Sequence, residues 1–325
     1  METNKFRRRN GKVMRERRTN VEPRNIGYVL KRLKESWQWY LLLLPGLIHL
    51  LIFSYGPMYG VQIAFKNYRA SRGIWNSEWV GFDHFIKFFK HPNFWEMIEN
   101  TLSITLYSLA VFPLAILFAL LLNEIRNQKF KKTVQMITYM PHFLTEVVVC
   151  SLTILFLERT NGPINNLIDF LGGERQNFMA MTEAFPHIYV WGELWQNIGW
   201  NAILYISALA AISPELVEAA TIDGASRFQI MRHINIPGIL PTVIITLLLR
   251  VGSVMSLGYS RILLLQNDLN REASLVISAY TYEIGILGGQ YSYSSAIGLF
   301  NNLVNITVLL IVNAVVKKVT DTGLF

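Results

Sequence analysis

The chain has 325 residues, 52% of them hydrophobic and 16% charged, with a net charge of +8. Soluble domains carry about a quarter charged residues. The shortfall here sits in long runs, since Ser36–Phe65 and Asn100–Asn123 hold no Asp, Glu, Lys or Arg. About 20 apolar residues cross a hydrocarbon core, so a soluble globular fold is excluded and an all-α integral membrane protein is expected. Its helices must satisfy their own backbone hydrogen bonds.

Residues 1–36 read as a basic arm and 37–325 as the membrane domain. Residues 1–35 hold twelve Lys or Arg against four Glu, including Arg7-Arg8-Arg9 and the Arg15–Arg18 cluster. The arm directly precedes the first apolar run, so the positive-inside rule places it in the cytoplasm, facing lipid and not nucleic acid. The run begins near Trp37, too late and for too long to be a cleavable signal, and is expected to stay as an anchor. The single cysteine, Cys150, excludes an intramolecular disulfide, and nothing resembles a metal cluster.

Six spans follow, at 38–64, 100–122, 134–157, 187–211, 238–262 and 294–316. Trp37, Trp39 and Tyr40 suit an interfacial anchor for the first. With the N-terminus inside, the inner loops are 123–133, 212–237 and the tail from Lys317. The first inner loop holds Arg126, Lys129, Lys131 and Lys132 against Glu124, and the tail opens Lys317-Lys318. The outer segments 158–186 and 263–293 carry more acids than bases, whereas the outer loop 65–99 is mixed. In that loop Phe82, Phe85, Phe88 and Phe89 fall at helical spacing with charges between them. The pattern suits a helix on the outer membrane surface, and equally a loop helix packed on its own protein.

The inner loop 213–241 is the most informative stretch. Ser213-Pro214-Glu215 reads as a helix start, with a capping residue, a first-turn proline and an acid at the positive end. Leu216, Ala219, Ala220 and Asp223 share a face. Gly224 can take the left-handed conformation that ends a helix. A second short helix follows, with Phe228, Ile230, Met231 and Ile234, capped by Asp223 and stopped or redirected by Pro237 and Pro241. By spacing alone this is either a cytoplasmic loop or a docking elbow.

Glu218-Ala219-Ala220, Asp223-Gly224-Ala225 and the pair Pro237 and Pro241 resemble the EAA motif of permease subunits of bacterial ABC importers. Many members of that family have an aromatic residue where Met231 stands. Further segments resemble the family's carbohydrate branch: GFDHF and NFWEMIENTL before the second span, YMPHFLTEVVV at 139–149 and WQNIGWNAILYISALAAISPEL at 195–216. The likeness extends through SSAIGLFNNLVN at 294–305 to the terminus Gly323-Leu324-Phe325. It lies nearest the permeases for complex or acidic oligosaccharides, such as alginate, aldouronate or pectin fragments. It implies a type I ABC importer fold of six transmembrane helices with a cytoplasmic coupling helix.

The resemblance also implies partners and roles. Glu218, Ala219, Ala220, Asp223, Gly224, Ala225, Phe228, Met231 and Pro237 would couple to a separate ATPase. Glu218 would pair with that ATPase or hold the bend. The chain has no phosphate loop of the form G-x-x-x-x-G-K-[ST]; Gly11-Lys12 is followed by Val13. ATP and Mg would therefore be bound by two partner ATPase subunits, and this chain carries no cofactor and is not itself an enzyme. A second homologous permease and an extracellular or periplasmic sugar-binding protein would complete an importer in the bacterial inner membrane.

Polar residues inside the spans are candidates for the translocation path. Glu146 and Arg250 are ionisable residues within spans, which ordinarily face a partner helix or water. Arg250 suits a carboxylated sugar by bidentate pairing, and equally a structural pair at the contact with the second permease. Tyr259, Tyr291, Tyr293, Asn301, Asn302 and Asn305 offer aromatic faces and amides, which also serve as interface anchors and helix-to-helix bonds. His142 and Glu146 are four residues apart and can share a helix face, with Pro141 marking a kink. A permease for a neutral sugar is the alternative within the class. An ion-coupled secondary transporter is the rival outside it, and such proteins show internal repeats that are not evident here.

Overall fold

The computed structural model describes residues 34–320. The basic arm up to residue 33 and the terminus Gly323-Leu324-Phe325 lie outside the described residues. The chain divides into two compact units at Gly60 and Val61.

In the first unit α1 (Trp37–Leu50) is apolar all round, as suits a span, and none of its residues is buried. It passes into a π-helical turn, Leu51–Tyr55. Pro57 lacks the N–H that Phe53 would bond in an α-helix, and the wider turn re-pairs the backbone ahead of it.

The second unit opens with a two-residue antiparallel ladder, β1 (Lys66–Asn67) against β2 (Glu78–Trp79), with Lys66 opposite Trp79. The aromatic stretch after it is a helix, Asp83–Phe89, packed on its own protein. Phe88 is fully buried against Phe94, Ile277 and Ile297, while Phe82 and Phe89 stay exposed. The second span is a 31-residue run of α2 (Phe94–Val111) and α3 (Pro113–Glu124).

Two expected spans take a different form. The third is bent by 103° between α4 (Gln128–Tyr139), with its terminal turn Met140–Phe143, and α5 (Glu146–Leu157). The bend falls at Leu144-Thr145, just beyond Pro141, and Thr145 caps α5 through Val148 N–H. His142 and Glu146 therefore lie on either side of a break and share no helix face. The fourth span is α6 (Ala184–Ala210), followed at 72° by α7 (Pro214–Ile222).

The helix expected at 238–262 instead runs Arg227–Val251, long and apolar enough to cross a membrane, and ends eleven residues early. Pro237 and Pro241 neither stop nor redirect it. α8 (Arg227–Ile230) continues through a π-helical turn, Met231–Asn235, into α9 (Ile236–Val251). The π turn has Ile236 N–H bonded to Met231 O, which absorbs the donor missing at Pro237. Beyond Val251 the chain leaves the helix and resumes as α10 (Tyr259–Leu265). The last span belongs to α11 (Tyr291–Thr320).

The non-helical stretch after α9 is held from α11. Met255 N–H donates to Asn305 Oδ1 at 2.9 Å, and Asn305 Nδ2 donates to Ser256 Oγ at 2.8 Å. Asn301 Nδ2 donates to Met255 O at 3.4 Å. Irregular backbone at membrane depth requires such internal partners.

The helices meet in three apolar clusters. Ala115, Ala119 and Leu120 of α3 pack on Ala202, Tyr205 and Leu209 of α6 and on Ile239 of α9. Small residues let these helices approach closely. A close backbone approach occurs at Gly199 of α6, where an added Cβ would clash with the carbonyl oxygen of Thr138 on α4. Backbone cannot yield as a side-chain tip can, so Gly199→Ala should cost about 1–3 kcal/mol by overpacking. Thermal unfolding of the purified protein checks this, and an unchanged midpoint would mean that the two helices are not in contact.

Candidate coupling elbow and central polar cavity

The elbow is two helices locked by local hydrogen bonds. Asp223 closes α7, and Gly224 follows at φ +81°, where a side chain is strained. Ala225 N–H donates to Ala220 O at 2.9 Å and Gly224 N–H to Thr221 O at 3.1 Å. This is a Schellman ending, and it satisfies two of the last carbonyls of α7. At the start of α7 the Ser213 side chain makes no capping bond, although Pro214 takes the first-turn position.

The second helix is capped by Ser226, not Asp223. Ser226 N–H donates to Gln229 Oε1 at 2.7 Å, and Gln229 N–H donates to Ser226 Oγ at 3.4 Å, a reciprocal capping box. Asp223 sits three residues too early to reach these amides. Among the described residues, neither its carboxylate nor that of Glu218 forms a hydrogen bond or ion pair.

The elbow presents an exposed face. Glu218, Ala219, Asp223, Gly224 and Pro237 are exposed, and so are Leu216 and Phe228. Ile222 is 86% exposed, the most of any large apolar side chain here. Ala225 is half-buried. Met231 turns inward and packs on the α3, α6 and α9 cluster, so it is part of the frame and not of the exposed face. Ile222 was missed at the sequence level. An apolar residue directly before Asp223-Gly224, off the face shared by Leu216 and Ala219, was the available signal.

Deeper in the bundle two cavities of about 340 and 300 Å³ lie side by side. Both are lined by Ser108 of α2, Glu193 of α6 and Arg250 of α9. Arg250 Nη2 donates to Glu193 Oε1 at 3.2 Å. The pair is therefore made within this chain. Tyr205 and Thr246, joined hydroxyl to hydroxyl at 2.9 Å, and Asn201 add polar groups to the larger cavity.

Of the five expected path residues, only Arg250 lines these cavities. Glu146 pairs with Arg261 at 3.9 Å. Tyr259 stacks on Tyr282 with ring centroids 4.6 Å apart. Asn301 and Asn305 are buried and bond the backbone beyond α9. Tyr291 packs edge-on to Tyr68. Glu193 went unread, although a carboxylate within the expected span 187–211 signals a partner.

Arg261 is the second unread residue. It is 3% exposed and donates to Gln196 Oε1, while Gln196 Nε2 donates to Leu144 O at 3.0 Å. It thereby ties α10 to α6 and to the bend of the third span.

The comparisons match this frame. The family described as the binding-protein-dependent transport system inner membrane component matches residues 89–321, from the end of the aromatic loop helix through α11. The chain belongs to this family. It is 42% identical over 303 residues to Protein LplB of Bacillus subtilis (strain 168), covering 93% of this chain and 95% of that one. It is 41% identical over 298 residues to the polygalacturonan/rhamnogalacturonan transport system permease protein YteP of the same organism, covering 91% and 93%. A chain in the crystal structure of a bacterial alginate ABC transporter, in complex with an alginate pentasaccharide-bound periplasmic protein, superposes with a TM-score of 0.83. It is 37% identical and covers 90% of this chain and 99% of that chain. The fold is that of an ABC transporter permease, and the chain is a multi-span transport subunit.

The two capping assignments are separable. Ser226→Ala removes the capping box, which is worth about 1 kcal/mol, and should raise tryptic cleavage after Arg227 roughly fivefold through local opening. Asp223→Ala should leave that rate unchanged. Equal effects of the two substitutions would return the cap to Asp223.

Proposed function

We propose that this chain is the membrane permease of an ATP-driven importer whose cargo is a complex or acidic oligosaccharide. The exposed elbow carries the reading. A pre-formed turn with a bare Ile222 at its tip, on a membrane-spanning frame, is a surface built to be gripped by another protein. The partner would be an ATPase subunit, with Ile222 and Phe228 as apolar anchors and Glu218 and Asp223 free to meet cations.

Nucleotide chemistry is assigned to that partner: two ATPase subunits would bind ATP and Mg. A second, homologous permease and an outer sugar-binding protein would complete the complex. The positive-inside rule orients it, with the N-terminal arm and the elbow in the cytoplasm of a bacterial cell and the arm against acidic lipid. The likeness to the permease named for polygalacturonan and rhamnogalacturonan, at 41% identity, supports an acidic cargo. The likeness to the arabinooligosaccharides permease protein AraP of Bacillus subtilis is lower, at 26%. An ion-coupled transporter would have no use for the elbow.

The elbow connects two helices directly. α6 enters it through Ala211–Ser213, and α8 is continuous with α9. A displacement of the elbow therefore reaches Glu193 on one helix and Arg250 on the other.

Gly224→Asp tests the reading, because a side chain at φ +81° is strained. The strain costs ~1 kcal/mol or more, and a charge is added beside the apolar tip. The variant should reach the membrane at the normal level, lose its co-purifying ATPase and lose sugar-stimulated ATP hydrolysis. Retention of both would remove the elbow as the coupling site.

A further inference from the structure

We propose that the Glu193–Arg250 pair is a carboxylate-exchange site on the translocation path. A uronate carboxylate of the cargo replaces Glu193 on the Arg250 guanidinium, and Glu193 later reclaims it. The inference rests on the oligosaccharide-permease reading above and assigns it a point of contact.

Four observations converge on the pair. It stands between two cavities and lines both. Each side chain is about one third exposed, at 33% for Arg250 and 31% for Glu193, so cargo can reach them. Arg250 uses only Nη2, and among the described residues its Nε and Nη1 groups have no hydrogen-bond partner. Both two-bond edges of a guanidinium include Nη2, so a carboxylate that displaces Glu193 from Nη2 can engage it together with Nε or Nη1 in two parallel bonds. Lastly, Ser108 Oγ and Thr105 Oγ1 are buried without a partner, and both residues line the smaller cavity. Buried hydroxyls left unpaired are uncommon and call for a missing partner.

Charge balance explains why the arginine is paired. A lone guanidinium at low dielectric would hold a uronate too firmly to pass it on, and a conducting site must bind weakly enough to release. Glu193 is a tethered copy of the cargo's own functional group. In the empty site it neutralises Arg250. When cargo enters, its carboxylate takes the guanidinium and the freed Glu193 accepts from sugar hydroxyls. No bond is made or broken covalently and no proton need move.

The position also couples the site to the elbow. Arg250 lies 23 residues along a continuous helical run from Arg227, about 35 Å at 1.5 Å per residue. Glu193 is on the helix entering the other side of the same elbow. The 3.2 Å contact joins α6 to α9, so a change in the angle between these helices alters it directly. The elbow stroke would thus open the pair when cargo is to be taken and close it when cargo is to be released.

Equilibrium binding to the intact permease–ATPase complex in lipid nanodiscs tests this, with tri-galacturonate and its fully methyl-esterified form as probes. Arg250→Gln should weaken tri-galacturonate binding roughly tenfold or more, the scale of a lost charge-assisted hydrogen bond. Glu193→Gln should tighten it and slow its uptake. Neither substitution should change binding of the ester by more than about twofold. These opposite signs are the signature, because a merely structural pair predicts the same direction for both variants and for both probes, and that result overturns the site. Should Arg250→Gln fail to assemble, Arg250→Lys decides by the same comparison, since it keeps the charge and loses the two-bond geometry. A complex that takes up tri-galacturonate with no preference for acid over ester overturns the exchange site alone. One that takes up neither probe overturns the oligosaccharide reading with it.

Discussion

Hydrocarbon offers no hydrogen bonds, so every break in a membrane helix must be closed from within the protein. Here Gln196 does this for the sharpest break. Its amide donates to the carbonyl of Leu144 at the 103° bend and accepts from the buried Arg261 of the element that follows the fifth span. One side chain on the long helix α6 therefore joins three parts of the bundle. The stretch after α9 is closed in the same way by Asn305 and Asn301. With both breaks held, α6 and α9 can act as rigid members, and the elbow between them can move them as units.

In the proposed importer the coupling surface and the cargo site stand at separate points along the same helices. The elbow end carries bare apolar side chains on a turn stabilised by its own backbone. Farther along, between the interior of α6 and the last turn of α9, an ion pair stands between two cavities. Nothing in the elbow has chemistry of its own. Its residues set a shape, with Gly224 at a conformation that few other residues adopt and Ser226 with Gln229 fixing the start of the next helix. In that proposal the polar groups that meet a cargo are Glu193 and Arg250, farther along the same helices.

Much of this was legible in the amino-acid sequence, and what was not has physical reasons. The charge-free runs marked the first and second spans because length and apolarity alone define a span. The motif Glu218–Ala225 marked the elbow, since a left-handed glycine after a short helix leaves a local signature. Pro237 misled, because a π turn can supply what a proline removes and the sequence does not show which way the backbone re-pairs. Asp223 was credited with a cap that belongs to Ser226, three residues later, because the Schellman ending consumes Gly224 and Ala225 first. Arg261 stood at the edge of the expected span 238–262, where a cation reads as an interface residue. Only the true end of the helix at Val251 places it inside. The partners of Arg250 and of the bend at Leu144 depend on tertiary contacts between residues more than fifty positions apart, which no local pattern encodes.

In the proposed importer the elbow is the mechanical input from a separate ATPase. Cross-linking from its tip tests that most directly, and the single native cysteine, Cys150, is buried. In a chain carrying Cys150→Ala and Ile222→Cys, a short cross-linker that is thiol-reactive at one end and photoreactive at the other, applied to native membranes and illuminated, should join this chain to the ATP-hydrolysing subunit, and the joined complex should stop importing. Cross-links to lipid or to another copy of this chain alone, with ATP-driven uptake intact, would contradict the account.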